Sequence, residues 1–266
     1  MQKIYSFLTP PDPVPESEIT GTVEADVVIA GAGIAGLCAA LRAAELGASV
    51  AVLEKTVCCN ARGGHFGAAN SKVWRELGIV NDKKELARQW IAACGNRARE
   101  QIVWLYINNS EEAVGWLFDH QAAHGIYPKP GRPRYAGPSY TERYGAHLLV
   151  GPKKGMREVA ENIRLDSQAL GARYFFETPA VYLEKEGGRV SAVIGGKPGG
   201  YTRFRVKTGV ILATGDIAGD RELLEAYSPM LLKVRHSQYT PPGANTGDGH
   251  KMGLWAGGIM EDAPFP

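Results

Sequence analysis

Residues 26–55 read DVVIAGAGIAGLCAALRAAELGASVAVLEK. Residues 26–30 are an apolar run bounded by Gly31, the pattern of a strand buried on both faces. From Ile34 the spacing turns helical: Leu37, Leu41 and Ala44 share one face, and Gly47 is a suitable terminator. Residues 48–54 form a second apolar run. Strand, helix and strand in this order predict a βαβ unit with parallel strands and a right-handed crossover. The fold class expected is therefore α/β, built on a Rossmann-like parallel sheet.

The glycines between the first strand and the helix add chemistry to that fold. Gly31, Gly33 and Gly36 make G-x-G-x-x-G. Gly31 permits the tight turn, Gly33 lets a pyrophosphate approach the backbone, and Gly36 lets the helix pack on the strand. The free N–H groups of Ile34, Ala35 and Gly36 and the positive end of the helix dipole then face the phosphates. Glu54 closes the second strand about 20 residues on, where a carboxylate accepts the ribose hydroxyls and repels a 2′-phosphate. This argues for a dinucleotide and against NADP. Lys55, next to it, joins the candidate cofactor residues.

Two further stretches favour FAD over NAD. After Glu54 the chain enters NARGGHFGA (residues 60–68), a glycine-rich loop able to run along an extended cofactor. Farther on, GVILATGD (residues 209–216) reads as a buried strand entering Ala213-Thr214-Gly215, whose small residues admit a cofactor lying on the first strand.

Taken with ETPAVYLEKEGGRVSAVI (residues 177–194), GVILATGDIAGDRELLEAYSP (209–229) and NTGDGHKMGLWAGG (245–258), these stretches carry a resemblance. The chain resembles the N-terminal FAD-binding part of the fumarate reductase and succinate dehydrogenase flavoprotein family. The soluble fumarate-reductase-like branch, with urocanate reductases and ketosteroid dehydrogenases, is the nearest. The resemblance runs from about Ala25 onward and is weakest between Lys84 and Val150. It implies a sheet of the glutathione-reductase type with a helical insertion and an antiparallel β element. It also implies that Asn60, Ala61, Gly63 and Gly64 lie along the cofactor toward the flavin. Ala180 would meet the adenine, Ala213, Thr214 and Gly215 would pack on the cofactor, and Asp248 would contact FAD. Cys58 and Cys59 stand where the family often has glycines, and Asp216 where this branch often has a second glycine. Flavin attachment to a histidine occurs in some members, and His65 lies in the loop concerned.

The resemblance further implies hydride transfer from reduced flavin N5 to the β-carbon of a polarised C=C bond, on a small substrate such as a fumarate, urocanate or acrylate. A flavin-dependent dehydrogenase or oxidase of the ketosteroid or aspartate type is the alternative. A cofactor-binding module without catalysis is another. In the family, the substrate clamp, the proton-donating arginine and the capping domain follow the segment matched here, so no catalytic residue is assigned. The domain expectation is an extended leader over residues 1–24 and a FAD-binding domain over 25–266, with the helical insertion at about 84–150. The electron donor is unknown; the family admits a separate haem or iron–sulfur protein, and no C-x-x-C-H or ferredoxin-like cysteine run occurs in this sequence.

The bulk numbers fit this reading. The chain has 266 residues, 44% hydrophobic and 22% charged, and a formal net charge of +2, which gives no reason to expect a nucleic-acid or membrane partner. Its four cysteines, Cys38, Cys58, Cys59 and Cys94, form no C-x-x-C pair, as in a reducing compartment. The N-terminal residues lack the apolar core of a signal peptide, and the apolar stretch 27–41 is too short to span a bilayer. The location expected is cytoplasmic, unless an export signal lies outside this sequence. His120 and His124 share a helix face but lack a zincin glutamate or an apparent third ligand, so no metal is expected. His236 and His250 flank the TGDG segment and read as exposed loop histidines. Residues 152–157, PKKGMR, read as a solvated basic turn at a helix start.

Overall fold

The computed structural model describes residues 4–131, 145–234 and 244–261. The chain opens with β1 (Ile19–Ala30), α1 (Ile34–Glu45) and β2 (Val50–Leu53). Then come β3 (His65–Ala68), α2 (Lys72–Glu76), α3 (Lys83–Ala93), α4 (Glu100–Ala123), β4 (Lys129–Pro130), β5 (Gly145–Leu148) and α5 (Met156–Ala169). It continues through β6 (Arg173–Phe175), β7 (Ala180–Glu186), β8 (Arg189–Lys197), β9 (Gly200–Leu212), α6 (Arg221–Tyr227) and α7 (Asp248–Trp255). Two compact units result, one from residues 1–60 with 163–266 and one from 61–162.

The first unit is built on a six-stranded sheet in the order β6-β2-β1-β9-β8-β7. The β6, β2, β1 and β9 strands are mutually parallel, and β7, β8 and β9 follow as an antiparallel meander. The mixed sheet with its antiparallel element is the one expected. Between β1 and β2 the α1 helix buries Leu37, Ala40, Leu41 and Ala44, the face its spacing marks. Val28, Ala51, Leu53, Val193 and Phe204 fill the core, and Phe175 meets Phe204 edge-on with ring centroids 4.9 Å apart. The turn EGG at residues 186–188 reads as a hairpin from sequence, and the Gly187 and Gly188 backbones take positive φ values of 58° and 83°, which lets β7 and β8 turn tightly. The strand order places β1 between β2 and β9, so its carboxyl end is a topological switch point.

Three features depart from the sequence reading. First, β1 begins at Ile19, not Asp26, because residues 19–25 pair in parallel with 201–206 of β9. Much of the expected leader therefore belongs to structure: Glu16 pairs with Arg203, and Phe7 is 3% exposed. Second, the end of β9 is open, with Ile211 and Leu212 at 40% and 37% exposure, where a buried strand was expected. The β8 strand pairs β9 only over residues 200–205, so among the described residues β1 is the one strand that pairs beyond them, up to Leu212. The Arg189 guanidinium caps two carbonyls of that edge, Lys207 at 3.0 Å and Thr208 at 2.6 Å. Third, the α6 helix is unanticipated; Asp220 caps it, accepting from the Leu223 N–H at 2.8 Å.

The second unit is not simply helical. It holds an antiparallel sheet in the order β3-β5-β4 and a core of Ala69, Leu86, Ala87, Val103 and Ile107 joining α3 to α4. The glycine-rich loop expected over residues 60–68 ends in β3, and Ser71 caps α2, its hydroxyl accepting from the Trp74 N–H at 3.1 Å. Residues 127–140, YPKPGRPRYAGPSY, read as irregular from their prolines and glycines and lie largely outside the described residues.

Candidate functional site

In the first unit, the carboxyl ends of β1, β2 and β9 bring most of the predicted residues together. The Gly31 N–H donates to the Leu53 carbonyl at 2.7 Å, and the Ala213 N–H donates to the Ala30 carbonyl at 2.8 Å. The three strand exits are thus pinned side by side.

The three glycines of the turn differ in what they allow. Gly31 has φ +107°, and a Cβ there would sit 2.3 Å from the Ala213 carbonyl oxygen. A Cβ on Gly36 would sit 1.9 Å from the Gly31 oxygen. Both glycines are required by the fold itself. Gly33 is not: its φ of −74° and ψ of 179° suit any residue. A Cβ there would meet only the Asn60 oxygen, at an ordinary 3.7 Å. The bare backbone at Gly33 leaves room above the start of α1, which no side chain caps. A bare backbone over uncapped helix N–H groups is the arrangement that binding of an anionic phosphate requires.

Glu54 is 8% exposed. Its Oε2 accepts from the Ala32 N–H at 2.8 Å, and its Oε1 accepts from the Thr56 N–H and hydroxyl, both at 2.8 Å. A carboxylate offers about four lone-pair sites, so these three bonds fix its orientation and leave it able to accept a further hydroxyl. The β6–β7 connection runs beside it: Glu54 donates its N–H to the Phe175 carbonyl, and Thr178 donates to the Glu54 carbonyl, each at 2.9 Å. That connection leads directly to Ala180. Glu177 within it takes a left-handed φ of 53° and donates its N–H to Thr56. Asn60 donates its N–H to the Ala32 carbonyl at 3.3 Å.

Lys55 and Asp248 form an ion pair at 2.9 Å. Thr246 completes it, accepting from the Lys55 ammonium at 2.9 Å and donating to the Asp248 Oδ1 at 2.7 Å. At the start of α7 the Gly249 N–H donates to the Thr214 hydroxyl at 3.0 Å, so Asp248 and Thr214 are held on one turn. Gly31, Gly33, Ile34, Ala35, Gly36, Glu54, Lys55, Asn60, Ala180, Ala213, Thr214, Gly215 and Asp248 therefore all lie in the first unit. Ala61, Gly63 and Gly64 belong to the second unit, where Gly64 accepts the Leu149 N–H at 2.8 Å through its carbonyl.

Sequence reasoning missed Thr56, Thr246 and Thr178. Thr56 had a signal, a short hydroxyl residue two places after the acid, while Thr246 and Thr178 acquire roles only through contacts across the fold. The Cys38 and Cys59 thiols are both pushed up to about 12 by burial, which keeps them protonated and inert at neutral pH. His250 has a buried Nδ1 without a hydrogen-bond partner among the described residues. His236 lies outside them, and His65 is an exposed strand residue. His120 and His124 have ring centroids 5.3 Å apart. The basic turn at 152–157 is closed by Glu158, which accepts the N–H groups of Lys153 at 3.0 Å and Lys154 at 3.1 Å.

A family model described as "FAD binding domain" matches residues 26–266. Among curated relatives, the vinyl phenol reductase of Lactiplantibacillus plantarum is 26% identical over 87% of this chain and 45% of its own length. A probable fumarate reductase of Shewanella frigidimarina is 26% identical over 89% of this chain and 39% of its own length. The chain thus spans less than half the length of these relatives. Among solved structures, a 3-ketosteroid dehydrogenase of Rhodococcus jostii aligns with a TM-score of 0.75. That alignment covers 93% of this chain and 56% of the other at 24% identity, a likeness of fold.

Proposed function

This chain belongs to the FAD-binding-domain family of fumarate reductase and succinate dehydrogenase flavoproteins, and from that premise we propose that it serves an oxidoreductase reducing an activated C=C bond. FAD is the family's cofactor, and when bound it supplies hydride transfer at a carbon conjugated to an electron-withdrawing group. The observation that carries the assignment of residues is the contrast at the turn: Gly31 and Gly36 are needed for packing, whereas Gly33 is bare without any internal reason.

The geometry of the first unit supports the following roles. The α1 N–H groups at Ile34, Ala35 and Gly36 bind the pyrophosphate over Gly33. Glu54, oriented by Ala32 and Thr56, accepts an adenosine ribose hydroxyl. The backbone at Ala180 borders the adenine. Ala213, Thr214 and Gly215 form a wall without bulk, and Lys55, Thr246 and Asp248 border the cofactor as one hydrogen-bonded group. Asn60 continues the bordering backbone after Glu54. The reductase names among the relatives support a small unsaturated substrate; a separate electron donor belongs to the same proposal. No helix among the described residues is long and apolar enough to cross a membrane.

Flavin fluorescence titration of the chain and of Gly33→Ala tests the site. A Cβ that displaces even one charge-assisted hydrogen bond weakens FAD by about ten- to a hundredfold, while the fold stays unchanged. Equal affinity in both proteins would remove the pyrophosphate from this turn. Turnover of fumarate, urocanate or cinnamate with reduced viologen tests the reaction class.

A further inference from the structure

We propose that the N-terminal strap of residues 4–8 is a positioning device for the turn 244–249, and that Phe7 thereby sets the affinity for FAD. This inference rests on the assignment of Asp248 to the cofactor.

The strap docks on the two helices that bracket that turn. The Phe7 ring lies in one buried cluster with Ile217, Leu223 and Leu224, with Tyr227 and Leu254 packed against it. The Phe7 carbonyl accepts the Trp255 Nε1–H of α7 at 2.8 Å. One residue earlier, the Ser6 N–H donates to the Glu222 Oε2 of α6 at 2.9 Å, and the Ser6 hydroxyl binds the same oxygen. One short segment therefore grips both α6 and α7. A proline-rich leader has no need of a 3% exposed phenylalanine and a buried main-chain acceptor.

The contact continues to the cofactor side. Ile217 and Leu223, which pack with Phe7, are also the side chains against the left-handed Gly247. A Cβ on Gly247 would stand 2.2 Å from the Leu223 Cδ1 and 3.3 Å from the Ile217 Cγ2. The turn is then fixed by three backbone bonds. Gly219 donates to the Asn245 carbonyl at 2.6 Å, Gly247 donates to the Asp216 carbonyl at 3.2 Å, and Gly249 donates to the Thr214 hydroxyl at 3.0 Å. Asp248 sits between the last two, with its carboxylate aimed by Lys55 and Thr246. Close packing transmits a change of this kind, because a vacated ring volume lets Leu223 shift and frees the glycine wedged against it.

Two measurements on the intact chain decide the matter. Hydrogen exchange without FAD reads the mechanical link. In Phe7→Ala the Gly247 and Gly249 amides lose protection while the β8 amides keep theirs; uniform loss, or no change, overturns the inference. A double-mutant cycle on FAD affinity reads the functional link. Phe7→Ala weakens FAD by about tenfold in the unaltered chain, and by less than about twofold in Asp248→Asn, because both act on one group. Equal factors in the two backgrounds overturn the inference, since a purely structural loss is additive. Trp255→Phe leaves the Phe7 ring in place and removes the bond to the Phe7 carbonyl along with the pyrrole half of the indole; it should repeat the pattern more weakly, and it serves if Phe7→Ala fails to fold. Failure of the unaltered chain to bind FAD would instead count against the cofactor site, and the inference would fall with it; loss of Gly247 protection would still register the mechanical link.

Discussion

At the scale of single residues, the three turn glycines separate folding from binding. Gly31→Ala forces a side chain to φ +107° and into the Ala213 carbonyl, and Gly36→Ala drives a Cβ into the Gly31 oxygen. Backbone strain with overpacking at Gly31, and overpacking alone at Gly36, destabilise each by at least about 2 kcal/mol. Gly33→Ala should match or slightly exceed the parent in stability, since alanine narrows the unfolded ensemble at a compatible backbone position. Urea unfolding of the three variants checks the order; a Gly33→Ala protein as unstable as the other two would show that Gly33 is a folding glycine. The motif alone places all three glycines at the turn. Only the packing distances tell them apart: the atom that clashes at Gly31 belongs to Ala213, far away in sequence, and the one at Gly36 is the carbonyl oxygen of Gly31.

At the scale of elements, α6 shows how a helix of seven residues persists. Its cap, Asp220, accepts the Leu223 N–H at 2.8 Å and pairs with Lys251 of α7 at 2.6 Å. Partial burial works to raise the Asp220 pKa, but the Lys251 ammonium and the Leu223 N–H outweigh it, so the carboxyl titrates below its usual 3.8. A folded pKa below the unfolded one means that the carboxylate stabilises above about pH 3.8, and that this is lost as pH falls through the folded value. Asp220→Ala should cost about 1–2 kcal/mol at neutral pH, and the difference from the parent should shrink in thermal melts below about pH 3.8. A difference constant with pH would show that the carboxylate charge is irrelevant. This helix was hard to read from DRELLEAYSP because its capping ion partner lies 31 residues on. The β1 strand was cut short for a related reason: residues 19–25 alternate rather than run apolar, and their partner is more than 170 residues later.

At the scale of the whole molecule, the two units should respond differently to acid. In the second unit His147 is fully buried. Its Nδ1 donates to the Phe66 carbonyl at 2.9 Å, which leaves Nε2 to accept the Ser71 hydroxyl at 2.7 Å. The ring is therefore neutral, and burial lowers its pKa from 6.5 despite the bond to Phe66. The unfolded state takes the proton first, so stability is full above about pH 6.5 and is lost as pH falls toward the folded value. Hydrogen exchange of the β3 and β5 amides should accelerate between about pH 7 and pH 5, after correction for intrinsic rates, while β1 and β9 stay protected. His147→Gln should remove that dependence; its persistence would assign it to another group.

The sequence by itself determined the βαβ unit, the glycine turn, Glu54 and the β7–β8 hairpin. Each rests on local chemistry, an apolar period, a missing Cβ or a turn glycine, acting within a few residues. Only the tertiary structure decided that the N-terminal residues are strand and strap, that β9 ends with an open edge, that the 61–162 unit carries a sheet, and that Gly33 alone is free of a packing duty. Those outcomes depend on partners distant in sequence, and a local pattern carries no record of which distant atoms close packing will bring against it.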